Sequence, residues 1–489
     1  MAKEEKRDLV YIMNPSCGWC KRSDPVVEEL KKGGYDITIL DVQNPNDAER
    51  ANEIKSKYNA RCGTPLFIDA ESGNSVCGFR PKEILEQWAD GKEIPAPTPP
   101  VRSPKNRDNA DCGCGKKGDS SESNDIKNML SPDIPFIKFE YVWLDGSSSK
   151  KLRSKVKFID LKDLNAKSPE EMLSKLPELS FDGSSTGQSK TDSSDCILKP
   201  IKAIPYRIDR TPSFIILCEV MNPDGTPHKT NTRSKMRETL EKVAGNGMIF
   251  GIEQEFVLTD PFTGKPLGWD KYNSDTPPPQ GDYYCGVGSD VTVGRDIVES
   301  FLIASAGAGI PLDGINAEVM LSQWEYQTKP KDALVASDEL WITRFILQKV
   351  AERMKVGISY DPKLIDGDWN GSGGHINFSS EHMRKNADID YMNLLCSSMS
   401  TYHDKAIEVY GVGNDRRLTG KNETSFVNNF SWGELDRTAS IRIPSETVKN
   451  NGKGYLEDRR PSANFDPYEA FNYLLKVYNN INEELFVAN

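Results

Sequence analysis

Six side chains in the C-terminal half of the chain are of types that hold divalent cations: Glu253, Glu255, Glu318, Glu325, His375 and Glu457. Glu253-Gln-Glu255 lies between Ile249-Phe-Gly-Ile252 and Phe256-Val-Leu258, a setting that predicts a strand. Residues two apart on a strand share a face, so Glu253 and Glu255 aim the same way. Two carboxylates side by side in a partly buried site need a cation or a proton to neutralise them. Glu318 and Glu325 flank a largely apolar stretch that can form a second wall, and His375 emerges from Asn370-Gly-Ser-Gly-Gly374, a loop thin enough for close backbone approach to a ligand. Hard oxygen ligands with one imidazole suit Mg2+ or Mn2+ rather than zinc.

The elements that must carry these residues read as a mixture of strands and helices over 233–489. Residues 137–232 read mainly as strands, clearest at Phe139-Glu-Tyr-Val-Trp-Leu144 and Ser213-Phe-Ile-Ile-Leu-Cys-Glu-Val220. Asp388 to Tyr410 carries Met392, Leu395, Met399 and Ala406 at helical spacing, a core pattern. Arg437 and Arg442, five apart, read as one strand leading to Ile443-Pro444. There is no Walker loop, and Cys285-Gly-Val-Gly288 does not fit a dinucleotide fingerprint. At 489 residues, two or three domains are expected. With 37% hydrophobic and 28% charged residues the composition is that of a soluble globular protein. A net charge of -11 and basic clusters no longer than Lys150-Lys151 with Arg153 speak against nucleic acid as a partner. No run approaches the roughly 20 apolar residues of a membrane span. The charged start, Met1-Ala-Lys-Glu-Glu-Lys-Arg-Asp8, lacks a signal-peptide core, so the expected location is cytoplasmic.

Ten cysteines in such a chain argue against a disulfide framework; two pairs stand out, Cys17-Gly-Trp-Cys20 and Cys112-Gly-Cys114. Residues 8–90 read in the order β-α-β-α-β-β-α, with Cys17 and Cys20 between the first strand and its helix and with Thr64-Pro65 further on. This order and these motifs resemble the thioredoxin/glutaredoxin family, whose cis-proline turn Pro65 matches. The resemblance implies an α/β thioredoxin-like domain over 1–91, with Cys17 as nucleophile, favoured as thiolate by the helix N-terminus and Lys21-Arg22, and Cys20 resolving the mixed disulfide. The usual lysine ahead of the motif is absent and Cys77-Gly78 stands where glutaredoxins often show Gly-Gly, so glutathione and a thioredoxin-type reductant both stay open. Residues 92–133, rich in Pro, Ser, Asn and Asp, have linker composition. Within them Cys112-Gly-Cys114 reads as a tethered thiol pair, a soft-metal clip, or nothing.

The metal-competent segments belong to longer motifs: Phe181-Asp-Gly-Ser-Ser-Thr-Gly-Gln188, Gly251-Ile-Glu-Gln-Glu255, Asn316-Ala-Glu-Val-Met320, Gly373-Gly-His-Ile-Asn-Phe-Ser379, Arg416-Arg-Leu-Thr-Gly420, Glu423-Thr-Ser425 and Gly454-Tyr-Leu-Glu-Asp-Arg-Arg460. In this order they resemble eukaryotic-type (type II) glutamine synthetases across roughly 137–489. The resemblance implies an α+β synthetase, with a β-grasp-like domain at 134–232 and a catalytic domain at 233–489. It implies ligation of ammonia to L-glutamate with ATP through γ-glutamyl phosphate, with two or three Mg2+ or Mn2+ ions per site. Glu255, Glu318 and Glu325 would hold the cation facing glutamate, and Glu253, His375 and Glu457 the one bridging ATP phosphates. Arg417, Arg437, Arg442 and Arg459 supply the basic groups that phosphoryl transfer needs. Asp182 with Ser185 would take the ammonium proton at a neighbouring subunit's site, and Glu423 would cover the acyl phosphate. Tyr455, Ser379, Arg384 and Pro330 would contact ATP. Active sites between subunits imply a homo-oligomer, a decamer of two pentameric rings. Ile249 replaces a common aromatic, Asn422 the usual His before Glu-Thr-Ser, and Leu321-Ser322 a typical Pro-Ala; none removes a ligand or proton carrier. A ligase for another amine, a shell without chemistry, and a redox-like domain serving only for docking are the rival readings. Where the domain is active, it is expected to gate the ligase through Cys196, Cys218, Cys285 or Cys396.

Overall fold

The computed structural model describes residues 7–15, 18–58, 64–77, 80, 82–92, 136–160, 164, 168–206, 211–243, 247–269 and 276–483. Cys17, Cys112 and Cys114, and the linker beyond Lys92, lie outside the described residues. The chain divides into two units, Met1–Gly118 and Asp119–Asn489.

In the first unit, β1 (Leu9–Met13), β2 (Ile37–Asp41), β3 (Leu66–Asp69) and β4 (Ser75–Cys77) form a sheet of order β2-β1-β3-β4. β1 and β2 are parallel, which demands a crossover, and the helix Gly18–Lys32 supplies it. β3 is antiparallel to β1, and β4 to β3. Alternation along β1 sends Leu9 and Tyr11 to a core with Val27, Phe67 and Trp88, while Val10 and Ile12 join Leu40, Ala51 and Ile68 on the other face. The Thr64-Pro65 peptide is cis. Cys20 is fully buried in its helix, and the Asn14 N–H donates to its Sγ at 3.4 Å.

The second unit is an α+β fold. Its first sheet holds β5 (Phe136–Leu144), β6 (Leu152–Asp160), β7 (Leu179–Asp182), β8 (Asp195–Tyr206) and β9 (Ser213–Met221) in the order β6-β5-β9-β8-β7. β9 is buried along its whole length because both faces are covered: Ile215 and Leu217 enter the main core, while Phe214, Ile216, Cys218 and Val220 enter a separate one.

The second sheet holds β10 (Ile249–Thr259), β11 (Gly314–Ala317), β12 (Gln323–Gln327), β13 (Lys331–Asp332), β14 (Gly357–Ser359), β15 (Gly374–Ser379), β16 (Trp432–Glu434), β17 (Ile441–Ile443) and β18 (Leu456–Asp458). Its path is β11-β12-β10-β15-β18-β17-β16, with β13 and β14 pairing to the two ends of β10. Phe250, Ile252, Phe256, Tyr326 and Ile376 pack with the helices Ala333–Arg353 and Pro467–Asn482 in the main core. Alternation leaves the opposite face to polar side chains.

Two local expectations change. Asp388–Tyr410 is three pieces, the helix Ile389–Ser398, a 3-10 turn Met399–Tyr402 and the helix His403–Val409, although Met392, Leu395, Met399 and Ala406 are all core. Arg437 is in a turn and does not share a strand with Arg442, because β17 spans three residues only. Among the described residues no helix is long and apolar enough to cross a membrane.

Candidate active site

Strand register brings the predicted ligands together. β10 pairs with β12 so that Glu255 faces Glu325, and with β15 so that Glu253 faces His375. β18 places Glu457 opposite Asn377 of β15, and β17 places Arg442 opposite Glu457. Glu318 follows β11 directly. Five of these six side chains line a cavity of about 430 Å3, with Tyr284, Glu423, Arg437, Arg442 and Arg459. Glu457 stands behind its wall, held by Arg442 and, at 2.6 Å, by Arg459.

Distances inside the cluster are those of a shared ligand set. His375 Nδ1 lies 3.3 Å from Glu253 Oε2 and 3.6 Å from Glu457 Oε1, and its Nε2 lies 3.9 Å from Glu255 Oε1. One ligand atom each from Glu253, Glu325 and His375 falls within 4.8 Å of the others. Burial raises the carboxyls of Glu255, Glu318 and Glu325 above the usual range, and neighbouring carboxylates raise them further. Burial, then Arg459 and Arg417, push His375 well below its ordinary value, so its imidazole is neutral and ready to ligate. Buried carboxylates crowded beside a neutral imidazole are a donor set that fits hard divalent cations.

The cationic side of the cavity is short of acceptors. Arg417 Nη2 lies 3.0 Å from His375 Nε2, and desolvation lowers the guanidinium to about 10. Arg417, Arg442 and Arg459 each bury an Nε without a hydrogen-bond partner. Arg437, Arg442 and Arg459 give one side of the cavity its positive charge, which suits an anionic ligand.

A second pocket of about 410 Å3 opens beside the first, and Glu253 lines both. It gathers Pro330, Ser379, Arg384 and Tyr455 with Ile249. Arg384, on the helix Glu381–Lys385, is fixed by bonds to Ser379 O at 2.7 Å and Gly247 O at 2.6 Å. Asp182 and Ser185 line neither pocket of their own chain. They sit at the exposed end of β7, where the Ser184 hydroxyl at 2.6 Å and the Ser185 hydroxyl at 2.5 Å donate to the Asp182 carboxylate and lower it to about 2.

The profile described as "Glutamine synthetase, catalytic domain" matches residues 229–403. A "Glutamine synthetase" of Neurospora crassa is 42% identical over 358 residues, 73% of this chain and 96% of that protein. One from Streptomyces viridochromogenes is 46% identical over 333 residues, 68% of this chain and 94% of that protein. A third, "Glutamine synthetase cytosolic isozyme 1-1" of Oryza sativa, is 41% identical over 347 residues, 70% of this chain and 94% of that protein. This chain belongs to the glutamine synthetase family.

Sequence reasoning about this glutamine synthetase family member missed the groups that orient the ligands. Asn377 Nδ2 donates to Glu253 Oε1 at 2.8 Å, and Glu255 Oε2 accepts from Gln323 Nε2 at 3.0 Å and from the Gly373 N–H at 2.9 Å. Asn316 Nδ2 donates to Glu318 Oε1 at 2.9 Å, and Gln327 donates to Glu325. Such bonds fix carboxylate rotamers as outer-shell partners of a metal site do. The available signal was position: Asn316, Gln327 and Asn377 lie within two residues of a ligand. On the reverse face of β10, Gln254 accepts from Arg344 Nε at 2.9 Å and Nη2 at 2.6 Å, anchoring the strand that carries both glutamates.

Proposed function

We infer that this protein ligates ammonia to L-glutamate with ATP, forming glutamine through γ-glutamyl phosphate. The observation that carries the reading is the convergence of five metal-competent side chains and three arginines on one cavity, with Glu457 just behind its wall, joined through Glu253 to a second pocket, in a chain of this family. Glu255, Glu318 and Glu325 hold one divalent cation, and Glu253, His375 and Glu457 another; this set of oxygen donors suits Mg2+ or Mn2+, two or three per site. Bound there, the cations supply charge neutralisation for phosphoryl transfer. Arg417, Arg437, Arg442 and Arg459 hold the anionic groups of the substrates and the transferring phosphoryl group. Tyr455, Ser379, Arg384 and Pro330 hold the nucleotide.

Asp182, with Ser185, binds ammonium and takes its proton, which leaves the nucleophilic amine. Its exposure away from both pockets of its own chain supports action at a neighbouring subunit, in a decamer of two pentameric rings. Glu423 closes over the cavity and keeps water from the acyl phosphate. Steady-state, ATP-dependent glutamine formation with Mg2+ or Mn2+ tests the reading. Absence of turnover sinks it, and turnover only with another amine in place of ammonia moves it to the rival ligase.

For the first unit we propose a thioredoxin/glutaredoxin-like dithiol module over 1–91, joined by the linker 92–133, with Cys17 as nucleophile and Cys20 resolving. The sheet order β2-β1-β3-β4 and the buried Cys20 support it. Its target in the second unit is narrowed by burial. Cys196, Cys218 and Cys396 are buried, and desolvation pushes their thiols up, which suppresses the reactive thiolate. Cys285 is exposed, next to the cavity residue Tyr284.

A further inference from the structure

The segment that carries Glu423 is a hairpin. Val427 N–H donates to Leu418 O at 2.9 Å, Thr419 and Phe426 bridge, and Thr424 N–H donates to Lys421 O at 3.1 Å. Its central residues Asn422 and Glu423 both have positive φ, 51° and 61°, the mark of a type I′ turn. Such turns favour Asn-Gly, since asparagine tolerates the left-handed region and glycine has no Cβ to clash. A glutamate in the glycine position is strained, and a strained backbone persists only where its surroundings over-determine it. The conformation places Glu423 on the wall of the cavity.

A hold from outside the hairpin comes from Asn422, whose Nδ2 donates to Asp368 Oδ1 at 2.9 Å. The loop presenting Asp368 is anchored at its next residue. Trp369 is 1% exposed, its indole N–H donates to Ile365 O at 2.8 Å, and the Lys363 ammonium lies 4.8 Å above its ring while donating to its carbonyl. The same loop carries the Gly373 N–H that binds Glu255 and the Gly371 carbonyl that accepts from Gln323 at 2.9 Å. Asp368 thus ties the hairpin to the framework that orients the metal-competent carboxylates.

We propose that Asn422 and Asp368 are positioning residues, a side-chain latch that holds Glu423 over the cavity without either residue touching substrate. The proposal rests on the reading of Glu423 as the cover of the acyl phosphate. Its signature is therefore coupling: a loosened cover lets water take the phosphorylated glutamate. The bond is solvent-exposed, so its loss changes the closed population severalfold rather than abolishing it.

The test measures phosphate release and glutamine formation by the full-length enzyme with ATP, glutamate and ammonia. Asn422→Gly keeps the turn's backbone freedom and deletes the bond; Asn422→Asp sets a carboxylate against Asp368. Both are expected to raise phosphate released per glutamine severalfold, with KM for ATP unchanged. Asp368→Asn, which keeps an accepting oxygen, stays near the parent ratio. The double variant Asn422→Asp/Asp368→Asn restores a donor–acceptor pair in reverse and returns the ratio toward the parent. Parent-like coupling in both Asn422 variants, or no recovery in the double variant, overturns the latch. Glu423→Gln separates the two layers: if it leaves coupling intact, the cover reading itself fails; if it uncouples while Asn422→Gly does not, only the latch fails.

Discussion

Gln254 sits between two metal-competent glutamates yet faces the dry side of β10, so replacing it tests whether the core behind the strand maintains the site. Gln254→Leu deletes four hydrogen bonds: two accepted from Arg344, at 2.9 and 2.6 Å, and two donated, to Glu255 O at 2.8 Å and Ala463 O at 3.0 Å. Arg344 is 2% exposed, and it keeps bonds to Phe465 O at 2.9 Å and Ala463 O at 3.0 Å. The rings of Trp341 and Tyr360, 4.7 and 5.2 Å from the guanidinium, remain as well. Bonds to a charged group are worth about 1.5–3 kcal/mol each, and the two lost amide-to-carbonyl bonds add to the loss. Apolar burial of the leucine returns roughly 1–2 kcal/mol. The net loss is about 3–5 kcal/mol, the range for stripping partners from a buried charge. Amide hydrogen exchange across β10, read by mass spectrometry, reports the opening free energy of that region. Calorimetric Mn2+ binding should weaken in parallel, since Glu253 and Glu255 are carried on the same strand. A loss below about 1 kcal/mol, with unchanged Mn2+ affinity, would refute the argument that the dry face of β10 fixes its wet face.

Three further outcomes are expected. Glu255→Ala should abolish glutamine formation at saturating Mg2+ and weaken calorimetric Mn2+ binding, because a site that neutralises phosphoryl charge loses several kcal/mol without its cation; near-parent turnover contradicts the assignment. The serine hydroxyls hold Asp182 at about 2, so it stays a carboxylate as pH falls from about 8 to about 6. Asp182→Asn should therefore raise the KM for ammonia by a factor that does not change over that interval, and a defect that vanishes toward acid pH argues against a carboxylate role. Cys285→Ser should remove the response of ligase activity to a thiol oxidant followed by reductant, as should Cys17→Ser; an unchanged response in both variants leaves the first unit as a docking module or an independent oxidoreductase.

The residues of the site were more legible than the geometry that assembles them. Alternation on a single strand was enough to put Glu253 and Glu255 on one face, because that rule is local. The pairing of Glu255 with Glu325, or of Glu253 with His375, depends on strands distant in sequence, and register is written in tertiary packing rather than in either segment alone. Arg437 reads from sequence as sharing a strand with Arg442 on the way to Ile443-Pro444, with apolar Ile441 and Ile443 beside Arg442. Both residues are fully buried, but the preceding Asp436 side chain accepts from the Thr438 N–H at 2.8 Å and turns the chain there. The orienting amides Asn377, Gln323 and Gln327 were invisible as a class, since the same residue types are equally at home on a solvated surface.

Among the described residues, Glu253 is the charged side chain that lines both cavities. Whatever charge arrives in one chamber alters the electrostatic free energy of this single carboxylate, and the neighbouring chamber inherits the change. Linkage makes the exchange symmetrical: the factor by which a nucleotide shifts affinity for the ligand next door is the factor by which that ligand shifts affinity for the nucleotide. With the nucleotide seated in the second pocket as proposed, one glutamate as a party wall would couple the two substrates at equilibrium, without a moving part.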